Sequence, residues 1–169
     1  MKIALVGYMG SGKSYWAKKL ATDLSVWYVD LDQFIETNYI NMSISAFINI
    51  AGELKFRQVE RQALVEIAQE QKEMVLATGG GTPCYFNNME VLNNNFTTVY
   101  LDSSIAFLYD RLVQEKSSRP LIAHLEDAAL KEFIAKHLFE RRTFYNQAKI
   151  SVNANGLTLD VLKNVISHG

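Results

Sequence analysis

The chain of 169 residues contains a single cysteine and only two prolines. Cys84 therefore has no second cysteine with which to form an internal disulfide bond, and no spacing of cysteine and histidine resembles a zinc site. These absences exclude a disulfide-stabilised secreted domain and a zinc module. We expect a protein of a reducing compartment.

An excess of charge of either sign is also missing. The sequence has 17 basic and 18 acidic side chains and a net charge of -1, with a pI near 6.3, whereas nucleic acids and anionic membranes require clustered lysine and arginine. No apolar run approaches the roughly 20 residues that span a bilayer, and the apolar N-terminus is too short for a signal peptide. We expect no nucleic-acid partner, no membrane partner and a cytoplasmic location.

Short apolar runs rich in branched residues alternate with helical patterns along the whole chain, 1–169, which we expect to form one domain. The runs typical of buried strands are 3–6, 26–29, 74–77, 97–101 and 150–152. Strands that alternate with helices predict an α/β fold, with a parallel five-stranded sheet between two helical layers. Residues 32–60 insert extra helical material between the second and third strands, and residues 113–125 form a polar loop before another helix. We expect one segment to hold a substrate and the other to close over it.

Glycine is scarce, but three of the nine glycines lie in a short window after the first strand. Residues 7–14 read Gly-Tyr-Met-Gly-Ser-Gly-Lys-Ser and match the phosphate-binding loop, with an apolar strand before and an amphipathic helix after. In this motif backbone N–H groups surround phosphate oxygens, the lysine (Lys13) reaches the β- and γ-phosphates, and the serine hydroxyl (Ser14) can bind Mg²⁺. The alternative is a glycine-rich turn that only links the strand to the helix.

Two carboxylates follow the second predicted strand, at Asp30 and Asp32. At a strand end they can point in different directions, one toward a metal ion with its water and the other toward an incoming substrate. A turn or helix-capping role for these aspartates is the alternative.

Two arginines lie in helical patterns. Arg57 has Glu53 four residues before it and Glu60 three residues after it, a spacing that can fix a guanidinium but also occurs in weak surface ion pairs. Arg141 continues a buried-face stripe that ends at Tyr145, so it needs an anionic partner, either a structural carboxylate or a ligand. His137 on the same helix is interpreted as a packing or surface histidine.

Two loop motifs can contact a ligand. Gly79, Gly80 and Gly81 follow the third strand, where backbone without side chains offers N–H donors to a ligand or forms a flexible turn. Arg119 lies in the polar segment before Pro120, where it can neutralise charge on a transferring phosphate or remain an ordinary surface arginine.

Taken together, these motifs resemble the shikimate kinases over residues 7–145. The motifs in that family's order are the loop 7–14, Asp30-Leu31-Asp32, Gly-Glu-x-x-Phe-Arg-x-x-Glu at 52–60, the glycines 79–81, Arg119-Pro120-Leu121 and Arg141-x-x-x-Tyr145. The resemblance implies the P-loop nucleoside-monophosphate-kinase-like fold and transfer of the ATP γ-phosphoryl group to the 3-hydroxyl of shikimate. ATP, Mg²⁺ and shikimate are the implied ligands, and a monomer is the implied state.

The resemblance also implies roles for single residues. Asp32 would hold the reacting hydroxyl or take its proton, and Lys13 and Arg119 would stabilise the transferring group. Arg57 and Arg141 would bind the substrate carboxylate. The remaining implied contacts are Glu60, Gly79, Gly80 and Gly81 in the substrate pocket, Gly10, Ser11, Gly12, Ser14 and Tyr15 at ATP, and Ser14 and Asp30 at Mg²⁺. Arg111 is a weaker match to an arginine near the adenine.

Two positions depart from the family pattern. Tyr15 stands where a threonine is common, and residues 152–155 lack a proline common there, which affects the expected adenine contacts. Two other functions fit less well: a kinase of another small metabolite, such as gluconate, and a nucleotide-gated binding protein. Asp32 disfavours the second, because a switch needs no residue at an acceptor hydroxyl.

Overall fold

A computed structural model describes all residues, 1–169, and places the five predicted strands in one parallel sheet. Each strand begins and ends within one residue of its predicted bounds. The strands are β1 (Lys2–Val6), β2 (Trp27–Asp30), β3 (Met74–Ala77), β4 (Thr97–Asp102) and β5 (Ile150–Asn153), in the order β2-β3-β1-β4-β5. The predicted α/β class is confirmed.

Eight α-helices cover the two faces of this sheet. They are α1 (Lys13–Leu24), α2 (Leu31–Ile35), α3 (Ile44–Ala51), α4 (Glu53–Gln69), α5 (Asn88–Asn95), α6 (Ile105–Glu115), α7 (Asp127–Tyr145) and α8 (Leu159–His168). Alternate residues of each central strand enter two separate cores: Ile3 and Leu5 pack with α1 and α8, whereas Ala4 and Val6 pack with α4, α6 and α7. Burial on both faces explains why the strands read as continuous apolar runs.

The strand order decides which loops meet. β3 lies between β2 and β1, and all three run parallel, so their carboxyl ends lie side by side at one edge. The loop after β1 carries residues 7–14, β2 leads into Asp30 and Asp32, and β3 leads into Gly79–Gly81. The fold thus brings three of the sequence motifs to the same edge.

The first long insertion is helical, as the sequence indicated, and the second is more helical than the predicted polar loop. Residues 32–60 contain most of α2, a π-helical turn at Glu36–Ile40, all of α3 and the start of α4. Within 113–125, the first three residues complete α6 and a 3₁₀ turn follows at Lys116–Ser118, so the irregular loop is shorter than predicted.

None of the eight helices combines the length and apolar character required to cross a membrane.

Candidate active site

The loop after β1 depends on glycine at three positions. Gly7, Gly10 and Gly12 have φ angles of 149°, 81° and 92°, which residues with a side chain rarely adopt. Gly12 also starts α1 without a side-chain cap, so the first N–H groups of this helix have no side-chain acceptor. An uncapped helix N-terminus behind a glycine loop is a binding site for phosphate.

Lys13 is folded back over this loop. Its Nζ donates hydrogen bonds to the carbonyl oxygens of Gly7, at 2.8 Å, and Tyr8, at 2.9 Å. The side chain is buried, and burial lowers the pKa of Lys13 to about 8. A buried cation that is held only by carbonyl oxygens gains strongly from an anionic ligand, which phosphate would supply.

Ser14 and Asp30 meet beside the loop. The Ser14 hydroxyl donates to Asp30 Oδ2 at 2.7 Å, and Asp30 also accepts from the backbone N–H of Gln33 at 3.2 Å as the cap of α2. Asp30 therefore has the capping role and faces the phosphate loop as well. No three His, Cys, Asp or Glu side chains in the chain are grouped so that they could enclose a metal ion without other ligands.

Asp32 lies on α2 against the glycines that follow β3. A β-carbon built on Gly79 would be 2.9 Å from Asp32 Oδ1. Burial first, and then the negative charges of Asp30 and Glu60, raise the pKa of Asp32 to about 6. A carboxylate with this pKa is ionised at neutral pH and is a competent proton acceptor.

Arg57 is fixed on several sides. Its guanidinium bonds to Glu60 at 3.0 Å and Glu53 at 3.3 Å, and it stacks 4.1 Å from the centre of the Tyr85 ring. Glu60 is fully buried and also accepts a hydrogen bond from Thr82 at 2.7 Å. With only 8% of Arg57 exposed, the weak surface ion pair considered from the spacing is excluded.

Arg141 has the opposite environment. It is half-buried on α7, and no carboxylate of the chain lies within ion-pair distance of its guanidinium, whereas the neighbouring Arg142 pairs with Asp102 at 3.6 Å. Of the two partners left open by the sequence, the structural carboxylate is ruled out. A ligand remains.

The three glycines after β3 separate these functional side chains. A β-carbon on Gly79 would meet Asp32, one on Gly80 would lie 3.6 Å from Arg141 Nη1, and one on Gly81 would lie 2.5 Å from Arg57 Nη2. The glycines are needed because the site's own side chains occupy the adjoining space. Sequence reasoning expected only a ligand or a flexible turn at this position.

The remaining predicted residues line the donor side. Arg119 pairs with Glu115 through two bonds of 2.6 and 3.0 Å, and therefore does not lie free over the phosphate loop. Arg111 donates to the carbonyl oxygen of Gly10 at 3.0 Å, and Tyr15 is exposed on the first turn of α1. Ser11 is buried, and its hydroxyl has no partner.

The sequence analysis missed several contributors. Tyr85, Thr82 and Glu115 each contact a predicted residue. Glu115 lies four residues before Arg119, a helical spacing that could have indicated the pair, whereas no spacing links Tyr85 or Thr82 to its partner. His137 packs as predicted, yet its Nδ1 is also hydrogen-bonded to the Tyr8 hydroxyl, at 2.9 Å. This contact could not be predicted from the sequence, because Tyr8 and His137 lie 129 positions apart.

Comparison with known proteins agrees with this geometry. The family model "Shikimate kinase" matches residues 9–168. A shikimate kinase of Flavobacterium johnsoniae is 44% identical over 94% of this chain and 92% of its own length. One of Azobacteroides pseudotrichonymphae is 41% identical over 98% of this chain and 97% of its own length.

Solved structures extend the similarity to the fold. The crystal structure of shikimate kinase from Bacteroides thetaiotaomicron superposes with a TM-score of 0.89 at 35% identity, covering 99% of this chain and 95% of that one. Shikimate kinase from Acinetobacter baumannii, solved in complex with shikimate, gives 0.85 at 29% identity, covering 99% and 93%. From the match over nearly its whole length, together with the phosphate loop beside Arg57 and Arg141, this chain belongs to the shikimate kinase family.

Proposed function

We propose that this kinase transfers the γ-phosphoryl group of ATP to the 3-hydroxyl of shikimate in the pocket between the phosphate loop and Gly79–Gly81. The observation that carries the proposal is the convergence of Asp32, Arg57 and Arg141 on three successive glycines at the edge of the sheet where the phosphate loop lies. Phosphoryl transfer requires mainly that donor and acceptor be positioned and that charge be neutralised, and this pocket has groups for each task.

The arginines divide the binding of the acid between them. Arg57 is oriented by Glu60 and Glu53 and reaches the pocket as a rigid donor. Arg141 has no carboxylate of its own and supplies the uncompensated positive charge. Two guanidinium groups suit a planar carboxylate, which accepts bidentate hydrogen bonds. We therefore assign the carboxylate of shikimate to this pair.

Asp32 is assigned to the hydroxyl that attacks. It lies beside Gly79, and its raised pKa makes it a better base than an exposed aspartate while it remains ionised at neutral pH. The hydroxyl proton would pass to Asp32 as the oxygen bonds to the γ-phosphorus and the bond to the β-phosphate oxygen breaks. ADP is the leaving group.

On the donor side, Lys13 and the N–H groups of Gly10, Ser11 and Gly12 are assigned to the β- and γ-phosphates. Ser14 and Asp30 present oxygen ligands of the kind that Mg²⁺ prefers, so they fit this ion, with Asp30 acting through water. Bound Mg²⁺ would offset negative charge on the phosphates.

Residues 113–125 are assigned as a lid within a single kinase domain that spans 1–169. In the structure, the hydrogen bonds of the Arg119 side chain all go to Glu115, and none goes to the phosphate loop. Exchange of Glu115 for the γ-phosphate would bring Arg119 to the transferring group, and the closed lid would exclude water as a competing acceptor. The chain contains donor and acceptor groups together, and we assign it a monomeric state and a cytoplasmic location, where ATP is available.

The test is the rate of ADP release with ATP and Mg²⁺ in the presence of shikimate, gluconate or no acceptor. We expect shikimate alone to raise the rate well above the basal level. Stimulation by gluconate instead would indicate a kinase of another acid. An equal rate in all three mixtures would exclude transfer to either acceptor.

A further inference from the structure

The helix that carries Arg141 has two polar anchors on the same face. His137, Arg141 and Tyr145 are spaced by four residues along α7, so they lie nearly above one another on one side of the helix. At one end, the Tyr8 hydroxyl bonds to His137 Nδ1 at 2.9 Å. At the other end, the Tyr145 hydroxyl donates to the carbonyl oxygen of Gly80 at 2.6 Å. Arg141 is the middle residue of the three.

These anchors connect α7 to both halves of the site. Tyr8 belongs to the phosphate loop and is almost completely buried, and Gly80 belongs to the acceptor loop. The other buried contacts of α7 are made mainly by apolar side chains, namely Leu130, Ile134 and Leu138. Apolar packing is non-directional and tolerates a small rotation of a helix, whereas a hydrogen bond at each end fixes the rotation.

The protonation state of His137 suits this role. Burial, and then the positive charge of Arg141, lower the pKa of His137 to about 4, so its ring is neutral near pH 7. A neutral ring can accept a hydrogen bond from the Tyr8 hydroxyl at Nδ1. It also places no second positive charge beside Arg141. The Tyr8 and His137 rings also meet edge to face, with their centres 5.4 Å apart.

We propose that Tyr8 and His137 form a positioning pair that sets the direction of Arg141 and so ties the carboxylate-binding arginine to the phosphate loop. This proposal rests on the carboxylate-binding role assigned to Arg141 above. Neither Tyr8 nor His137 is a catalytic residue in it, because their effect on shikimate passes through the rotation of α7.

The test compares the KM values for shikimate and ATP in Tyr8→Phe, His137→Phe and the double variant. Each substitution keeps a ring in place and removes only the bond. Loss of one hydrogen bond is expected to raise the KM for shikimate about fivefold, while the KM for ATP stays within about twofold. The double variant should match the single ones, because all three lack the same bond. An equal rise in both KM values, or no rise in either, would overturn the proposal.

Two control variants separate positioning from general stability. His137→Asn keeps an acceptor atom at the δ position and should restore the wild-type KM for shikimate. Thr98→Val removes a buried hydroxyl that bonds to Asn93 at the far end of β4, so it should lower the melting temperature without changing either KM. Failure of the asparagine variant to restore the KM would assign the effect to ring packing and overturn the proposal.

A variant made in an Arg141→Ala background tests the positioning pair separately from the role assigned to Arg141. In an Arg141→Ala protein, His137→Phe should raise the KM for shikimate no further, because the residue through which it acts is absent. Independent, multiplying effects would overturn the positioning pair. If Arg141→Ala by itself left the KM for shikimate unchanged, the assigned role of Arg141 would fail instead.

Discussion

Asp32 is placed where a hydroxyl of the acceptor would need a base. Its carboxylate lies against Gly79 and makes no hydrogen bond to the protein, so its acceptor atoms are available to a ligand. Its burial is costly to the charged form, which is the reason for the raised pKa. The same environment that makes Asp32 a better base makes it an unfavourable residue for folding.

At the residue scale, Asp32→Asn is expected to lower kcat about 100-fold, the lower end of the usual contribution of general-base catalysis. The amide still contacts the hydroxyl but cannot take its proton, so the KM for ATP should change little. In the wild type, kcat/KM for shikimate should fall as the pH drops through about 6, because protonated Asp32 cannot act as a base. Steady-state rates between pH 5 and 8 provide the measurement.

The matched control for this variant is Asp110→Asn, which removes an exposed carboxylate on α6 that has no ion pair. It should retain wild-type kcat and the same pH profile. A normal kcat in Asp32→Asn would leave Asp32 with no part in proton transfer.

Other residue-level features could be read only in part from the sequence. The i,i+3 and i,i+4 carboxylates around Arg57 were visible as a spacing, because both lie on the same helix. The stacking of Arg57 on Tyr85 was not, since the two residues lie on separate segments. Sequence spacing predicts contacts within one helix or strand, but it does not predict contacts between separate elements.

At the scale of elements, the segment after α6 is held by exposed ion pairs. Arg119 pairs with Glu115, and Lys116 pairs with Asp127 at 2.8 Å on α7. Exposed pairs of this kind contribute about 0–1 kcal/mol. Ile122 of the same segment is fully buried in the core, so it is these polar contacts that are weakly held and can exchange partners when a nucleotide binds.

The lid assignment gives a prediction for Arg119 and its partner. Arg119→Ala should lower kcat about 100-fold, because a charge that stabilises the transferring group is lost. Glu115→Gln should leave kcat near the wild-type value or slightly above it, since Arg119 no longer has to leave a carboxylate. Lys116→Ala breaks the other ion pair of the segment and serves as the control. A loss in Glu115→Gln as large as that in Arg119→Ala would make Glu115 a required partner of the arginine and contradict the exchange.

The elements themselves were largely predictable. The central strands β1, β3 and β4 were found within one residue because they are buried on both faces and read as continuous apolar runs. The edge strands β2 and β5 are only partly buried, and their apolar branched residues were sufficient to find them. The insertion 32–60 was predicted to carry extra helical material, and α3 lies there, although it has no fully buried residue. The packing of α3 against α4 could not be predicted, because the local sequence does not encode contacts between elements.

At the scale of the whole molecule, the buried Asp32 couples activity to stability. Its pKa is raised from 3.8 to about 6 in the folded chain. A raised pKa means that folding favours the protonated carboxyl. The contribution of this carboxyl to the free energy of unfolding is therefore fully present below pH 4 and is lost as the pH rises through 6. Asp32 therefore lowers the free energy of unfolding at neutral pH.

The resulting prediction is that Asp32→Asn is more stable than the wild type at pH 8, by about 3 kcal/mol for a shift of this size. The difference should shrink toward zero below pH 4, where the wild-type carboxyl is protonated in both states. Urea denaturation at a series of pH values measures it, with Asp110→Asn as the control. A difference that is the same at pH 4 and pH 8 would show that the titration of Asp32 has no part in it.

The sequence by itself determined the phosphate loop, the parallel sheet and the identity of the chemical groups, because each of these depends on local patterns: glycine spacing, apolar runs and motif order. The tertiary structure decided which groups meet. The strand order placed the ends of β1, β2 and β3 together, and only then did Asp32, Arg141 and Arg57 each take one glycine of Gly79–Gly81 as a neighbour. It also decided that Arg141 lacks a carboxylate and that Tyr8 reaches His137. Such contacts join residues up to 129 positions apart, and a local pattern contains no information about which distant segment it will face.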